Sequence, residues 1–363
     1  MSANVMATGF QILDAADPLE AEAWKDLWST WPGREVHAHP SYVGLFAEPG
    51  QRVLCATYVD PAGGAILYPF ILRPLEPVDS FGTAADIVSP YGYGGPQCWG
   101  LADPDASARR FWEPFDAWAE QSGIATEFIR FSLFSEKLLP YPGVLVDRLA
   151  NIVVPLDVSE DTLWMSFDRK VRKNVKKAER SGVTITVDET GAALDEFMRI
   201  YVATMDRRQA SNGYYFPRTF FDSIRRELVG QYAYFNAVLE GKTISTELVL
   251  VSEHSVYSFL GGTDETAFDL RPNDLLKFEI MRWAQARGKK HFVLGGGASA
   301  GDGIERYKRA FSPDGAVSFR SGQRVLKPEL VAALVARRKR EYVAEGTVWP
   351  DDSTYFPSYR LPL

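Results

Sequence analysis

The chain has 363 residues and a formal net charge of −7, with 46% apolar residues that include 22 Phe, 16 Tyr and 9 Trp. That length exceeds one ordinary core and predicts about two domains, and so many large rings exclude a disordered chain. The mild negative charge excludes a protein that coats nucleic acid and predicts no DNA partner, although a local basic patch can still meet part of an RNA.

Cys55, Cys98, His37, His39, His254 and His291 are the only cysteines and histidines, and no pair has metal-ligand spacing. No metal and no disulfide are therefore expected. Met1 to Gly9 lacks the basic start of a signal peptide, and no stretch approaches the ~20 apolar residues that span a bilayer. A cytoplasmic protein is the expectation.

In chain order, Arg52–Val59 and Ala65–Leu72 read as two strands joined by the turn Asp60-Pro-Ala-Gly-Gly64. Next comes Asp86-Ile-Val-Ser-Pro-Tyr-Gly-Tyr-Gly-Gly-Pro96. Tyrosines among glycines and prolines make poor regular structure and suit a loop that presents Tyr91 and Tyr93 to a substrate. An amphipathic helix then closes at Gly123, before the strand Glu127–Phe131. A boundary is expected near Asn151, ahead of the strand Ile152–Leu156.

The second half repeats this order. A hairpin runs from Tyr232–Leu239 through Glu240-Gly-Lys242 to Ile244–Val251, and Ser255–Leu260 follows as a third strand. A helix closes at Gly288 and leads into the strand His291–Leu294. Asp116-Ala-Trp-Ala-Glu-Gln-Ser-Gly123 matches Met281-Arg-Trp-Ala-Gln-Ala-Arg-Gly288, with Trp118 and Trp283 in register. Shared element order around a shared helix end predicts an internal duplication. The expected domains are a first lobe over 1–150, a second over 151–325, and a C-terminal helix with an irregular tail over 326–363.

Four motifs could carry chemistry. Leu163–Ala178 places Trp164, Phe167, Val171, Val175 and Ala178 on one helical face. The intervening Arg169, Lys170, Arg172, Lys173, Lys176, Lys177 and Arg180 repel one another at helical spacing. A bound phosphate would relieve that repulsion, so Arg172, Lys173 and Asn174 are candidate ligand contacts. Gly261-Gly-Thr263 ends a strand and precedes Pro272-Asn273-Asp274, where Asn273 or Asp274 is the expected helix cap. Gly261 and Gly262 would let a ligand approach backbone N–H groups. The third motif is Leu294-Gly295-Gly296-Gly297 with Tyr307 and Lys308 on a short following helix, and the fourth is the tyrosine loop. No P-loop, Gly-x-Ser-x-Gly elbow, dinucleotide fingerprint or acetyl-CoA pyrophosphate loop is present.

Together these segments resemble the Fem-type aminoacyltransferase branch of the GNAT superfamily. The carrying residues are Trp164-x-x-Phe-Asp-x-Lys-x-Arg-Lys-Asn-x-x-Lys-Ala178, Gly261-Gly262, Pro272-Asn-x-Leu-Leu276, Trp283-Ala284, Leu294-Gly-Gly296 and Tyr307-Lys-x-x-Phe311, with Ser89–Pro96 in the first half. The resemblance implies an α/β (α+β) fold of two tandem GNAT-like lobes, each a mixed, mostly antiparallel twisted sheet flanked by helices. It implies transfer of an amino acid from aminoacyl-tRNA to an amine, on a peptidoglycan precursor or a small natural product. Lys308 is implied to stabilise the oxyanion of the transferred carbonyl, and the start of the second lobe to face phosphates; Asn273, Gly295, Gly296 and Tyr307 are candidate substrate contacts. The chain differs from the cell-wall members in lacking a coiled-coil arm. It also has Gln97-Cys98-Trp99 where those members carry a nearby carboxylate.

The expected reaction is attack of an amine on an activated ester, with Asp86 as the candidate base. No bound cofactor is expected beyond the donor, which is aminoacyl-tRNA or, in an alternative reading, acyl-CoA for an N-acyltransferase of the same superfamily. A non-catalytic ligand-binding relative is the third reading. The sequence leaves the oligomeric state open.

Overall fold

Side-chain alternation along paired strands sets the architecture. The computed structural model describes residues 8–77 and 82–363. Its chain runs β1 (Gly9–Asp14), α1 (Pro18–Thr30), α2 (Pro40–Gly44), β2 (Arg52–Val59), β3 (Ala65–Pro74), β4 (Ala85–Val88), β5 (Gln97–Trp99), α3 (Pro104–Gln121) and β6 (Ile124–Arg130). Cys55, Leu67 and Ile71 point to one face, against Trp24, Leu27 and Trp31. Leu54, Ala56, Tyr68 and Phe70 point to the other, against Phe111, Trp112 and Phe115 of α3. Period-two alternation thus buries both faces of this sheet.

The chain continues through β7 (Val144–Pro155), α4 (Glu160–Ser166), α5 (Arg169–Arg180), β8 (Thr184–Asp188), α6 (Leu194–Arg208), α7 (Arg218–Glu227), β9 (Tyr232–Leu239), β10 (Lys242–Val251), β11 (Ser255–Thr263), α8 (Pro272–Ala286), β12 (His291–Gly295) and α9 (Gly303–Arg309). It ends with β13 (Ala316–Val325) and α10 (Pro328–Ala344). The second core joins Ile152, Val154, Phe235 and Val249 of the strands to Val171, Val175 and Ala178 of α5 and to Leu276, Ile280 and Ala284 of α8. The apolar stripe read along Trp164–Ala178 is therefore the buried face of α4 and α5.

Two units result. The first comprises residues up to Pro32, His37–Arg148 and Phe319–Leu363, and the second Gly33–Val36 and Leu149–Ser318. Strand order in the first is β1-β2-β3-β4-β6-β13, with β5 on β3. In the second it is β8-β9-β10-β11-β12-β7. Each order has one parallel pair, β4–β6 and β11–β12, joined by the helix that carries the matched tryptophan. The remaining neighbours are antiparallel. The tandem repeat seen in the sequence is a repeat of topology.

The C-terminal part differs from expectation. Residues from Phe319 onward belong to the first unit, where β13 pairs with β6 through Ser321↔Arg130 to Val325↔Thr126. The proline-rich end is packed rather than a detached tail. Tyr359 Oη lies 2.7 Å from Thr126 Oγ1, and Arg338 Nε donates to the Leu361 carbonyl at 2.9 Å. Among the described residues no helix is long and apolar enough to cross a membrane.

Candidate active site

The second sheet opens at its parallel pair. β11 and β12 pair only from Ser255↔His291 to Tyr257↔Val293. β11 then runs on to Thr263 held by β10, with the register stepping from Val249↔Ser258 to Leu248↔Leu260 and leaving Phe259 as a bulge. The freed edge forms one side of a cavity of about 850 Å³, which α6, α8 and α9 complete. Gly261 and Gly262 permit this wall. A Cβ on Gly261 would lie 2.5 Å from the Thr246 carbonyl, and one on Gly262 would run into Thr204 of α6.

The start of α8 supplies a second wall. Arg271 caps it from the left-handed region, at φ 61° and ψ 38°, and Pro272 opens the first turn. Such a conformation in a non-glycine residue costs roughly 1–2 kcal/mol. Neither Asn273 nor Asp274 is the cap that the sequence suggested. Both side chains are used laterally. Asn273 Nδ2 donates to Tyr307 Oη at 2.7 Å, and Asn174 Nδ2 donates to Asp274 Oδ1 at 3.1 Å. Burial lifts the Asp274 carboxyl above its ordinary range and raises the Tyr307 phenol well above its own.

The third wall is α9. Asp302 accepts from the backbone amides of Ala298, Ser299 and Glu305, which fixes the loop before the helix. Lys308, the penultimate residue of the helix, reaches back so that Nζ donates to the Gly296 carbonyl at 2.6 Å. Gly295, at φ 79°, makes the turn that brings that carbonyl into place. Burial, with repulsion from Lys277 added, pulls the Lys308 ammonium down to about 8. Tyr307 is anchored by the Phe311 ring at 5.3 Å.

Lys308, Tyr307, Asn273, Gly261 and Gly262 all line this cavity. Asn174 adjoins it through Asp274. Arg172 instead donates from Nη1 to the carbonyls of Met165, at 3.1 Å, and Phe167, closing the α4–α5 corner. Lys173 is exposed.

Asp86, Tyr91 and Tyr93 belong to the first unit. Asp86 is 0% exposed. Arg73 Nε meets its Oδ1 at 2.7 Å, while Arg360 Nε at 2.7 Å and Tyr359 Oη at 3.0 Å meet Oδ2. Both oxygens are held by permanent donors, so Asp86 is a structural counter-ion and not the expected base. The Tyr93 ring is packed at 5.4 Å from His37 and 5.8 Å from Phe319, and burial raises its phenol. Tyr91 is exposed, and its carbonyl accepts from Tyr42 Oη at 2.9 Å.

The sequence reading missed Glu247, Lys277, Ser258, Arg207 and Arg208, all of which line the cavity. Two of them carried a signal. Glu247 is the lone charge in Ile244–Val251, and Lys277 interrupts the apolar run Leu275-Leu-Lys-Phe278.

The second unit carries a GNAT acyltransferase domain. Residues 165–309 match the family described as acetyltransferase (GNAT) domain, a span that holds the whole cavity lining. The chain resembles the Fem-type branch, being similar in structure to FemX at a TM-score of 0.58 and 13% identity, over 83% of this chain and 95% of that one. L-PGS from Bacillus licheniformis is similar at 0.51 and 14%, over 90% and 98%. The C-terminal domain of a protein from Agrobacterium fabrum, provisionally named a lysylphosphatidylglycerol synthetase, is similar at 0.52 and 13%, over 89% and 95%. At these identities the likeness is one of fold. No curated protein matches the sequence.

Proposed function

We propose that the second unit moves an aminoacyl group from an activated ester, with aminoacyl-tRNA as donor, onto an amine acceptor to make an amide. One observation carries this reading: a buried ammonium, Lys308, stands at the wall of a cavity formed where the parallel strands separate. One of its N–H bonds is committed to Gly296, which leaves the others for a ligand.

An ester already holds a competent leaving group, so positioning supplies much of the acceleration. A fixed cation next to the carbonyl stabilises the charge that develops on its oxygen, and it does so more strongly in a water-poor site. Arg207, Arg208 and Arg271 also line the cavity, and Arg208 and Arg271 form no ion pair among the described residues. Such a cationic rim suits a phosphate-bearing donor. The Fem-type resemblance favours tRNA as that donor, with a peptidoglycan precursor or a small natural product as acceptor.

The test is incubation with total tRNA charged with labelled amino acids, in parallel with acetyl-CoA, against a panel of primary amines, with mass spectrometry of the products. Amide formation from charged tRNA supports the reading. Amide formation from acetyl-CoA alone would replace the donor, and no product from either would make the chain a binding protein.

A further inference from the structure

The cavity contains a charge pair that the chemistry above leaves unused. Glu247 on β10 and Lys277 on α8 are both buried, and Lys277 Nζ donates to Glu247 Oε1 at 2.5 Å. The same ammonium donates to Ser258 Oγ at 2.8 Å and lies 5.5 Å from the centre of the Phe292 ring. Three neighbours on three strands therefore fix the ammonium, and the ammonium fixes the carboxylate.

Packing gives no reason for this pair. Desolvating two charges offsets most of their attraction, and apolar residues of similar volume would fill the space as stably. The arrangement is also incomplete in a specific way. Lys277 engages Oε1, while Glu247 Oε2 has no hydrogen-bond partner among the described residues, in a side chain that lines the cavity. Of the other two carboxylates of the lining, Asp302 is committed to three backbone amides, and Asp274 accepts from Asn174 at Oδ1 but has no cation paired with it among the described residues to aim its second oxygen. The cavity otherwise presents cations, from Lys308, Arg207, Arg208 and Arg271. Glu247 is thus the group in it best placed to receive a proton.

We infer that Glu247 is the proton acceptor for the attacking amine, and that Lys277 is the positioning residue that aims its free oxygen; this rests on the transferase reading. The acceptor ammonium gives one proton to Glu247 Oε2, and the freed amine nitrogen bonds to the ester carbonyl carbon while the carbonyl electron pair moves onto oxygen beside Lys308. Collapse of the intermediate breaks the C–O bond, the second N–H proton goes to the departing oxygen, and Glu247 releases its proton to solvent. The products are an amide and an alcohol, and the carboxylate is regenerated.

The experiment compares two acceptors: n-propylamine, which is protonated at neutral pH, and hydroxylamine, which is not. Donors are charged total tRNA and acetyl-CoA, and rates are taken over the enzyme-free background. Glu247→Gln should lower kcat for propylamide formation by about 10²–10⁴-fold, with KM for the amine little changed, as for a lost general base. Hydroxamate formation should fall far less. Because Glu247→Gln leaves Lys277 buried without its counter-ion, the double variant Glu247→Gln/Lys277→Met, which removes both charges, should show the same split between acceptors. Equal loss with both acceptors, no loss with either, or a split seen instead in Asp274→Asn would overturn the assignment. If wild-type protein makes no amide from either donor, the transferase reading itself fails, and this assignment with it.

Discussion

The two units share the order of five strands and diverge at the end of the parallel pair. In the second unit β11 and β12 part after Tyr257 and Val293, and the gap becomes the cavity. In the first unit the corresponding strands stay closed. The Ser89 amide donates to the Phe128 carbonyl, Ser89 Oγ accepts from the Arg130 amide, and the Gly94 amide donates to the Arg130 carbonyl. The helix between the strands differs in the same sense. Counting back six residues from Trp118 and from Trp283 reaches Trp112 in one helix and Lys277 in the other. Trp112 is buried among Tyr68, Phe111, Phe115 and Tyr141, whereas Lys277 lines the cavity. One topology thus yields a filled interior or a site according to whether its parallel strands are bridged.

Buried acids show the same division. In the first unit Asp86 is enclosed by Arg73, Arg360 and Tyr359, and Glu127 accepts from Tyr68 at 2.7 Å and Tyr141 at 2.9 Å. Replacing Asp86 by Ala leaves two arginines without their shared counter-ion. This should destabilise the protein by about 3–5 kcal/mol, the usual effect of breaking a buried pair from one side. Urea denaturation measures it. Transfer per folded molecule should not change, and loss of transfer at unaltered stability would make Asp86 a working group and break the contrast.

A pH profile sharpens the contrast from the other side. Burial lowers the Lys308 ammonium to about 8, so it is charged below that pH and neutral above it. If the charge is required, kcat with hydroxylamine as acceptor should fall above pH about 8, approaching tenfold per pH unit. Lys308→Arg should abolish that fall, because a guanidinium keeps its proton through this range. A wild-type profile flat to pH 10 would remove the charge from the mechanism.

Gly262→Ala tests the wall. The new Cβ would collide with Thr204 and approach the Ile200 carbonyl to 3.0 Å, so α6 must move off β11. Overpacking of this kind typically costs roughly 1–3 kcal/mol. Thermal unfolding should show the loss, with KM raised for the donor. An unchanged melting temperature would mean that this wall is looser than the geometry describes.

The smallest expected effect concerns Lys173, exposed on α5. Lys173→Gln should leave stability within about 0.5 kcal/mol. Binding of charged tRNA should weaken and its salt dependence should drop by about one phosphate contact. Unchanged affinity and salt slope would return that helix face to ordinary solvation.

Much of the scaffold was legible because it is written locally. The Trp-Ala repeats with their glycine stops mark equivalent helix ends, and the hairpins carry their own turns. Gly261-Gly262 and Asn273 follow from a strand end and a helix start, and Tyr307 and Lys308 from the short helix that comes after the glycine run. Asp86 was misread because its setting is not local. Arg73 reaches it across a strand pair and Arg360 comes from the far end of the chain, so the nearby tyrosine loop was the only visible context. The same holds for the C-terminal end, whose prolines signal irregular backbone but not where Tyr359 and Arg360 will dock. Glu247 and Lys277 lie on elements that read as core, and their meaning depends on the strand separation that no residue pattern announces.

If the opened parallel pair of the second unit is the reaction site, Lys308 acts there on the transition state. Single-turnover amide formation at pH 7 by Lys308→Ala should then be slower than by wild type by about 10²–10³-fold, roughly 2.7–4 kcal/mol, with donor affinity and melting temperature nearly unchanged. A correctly folded Lys308→Ala protein that transfers at the wild-type rate would contradict this role.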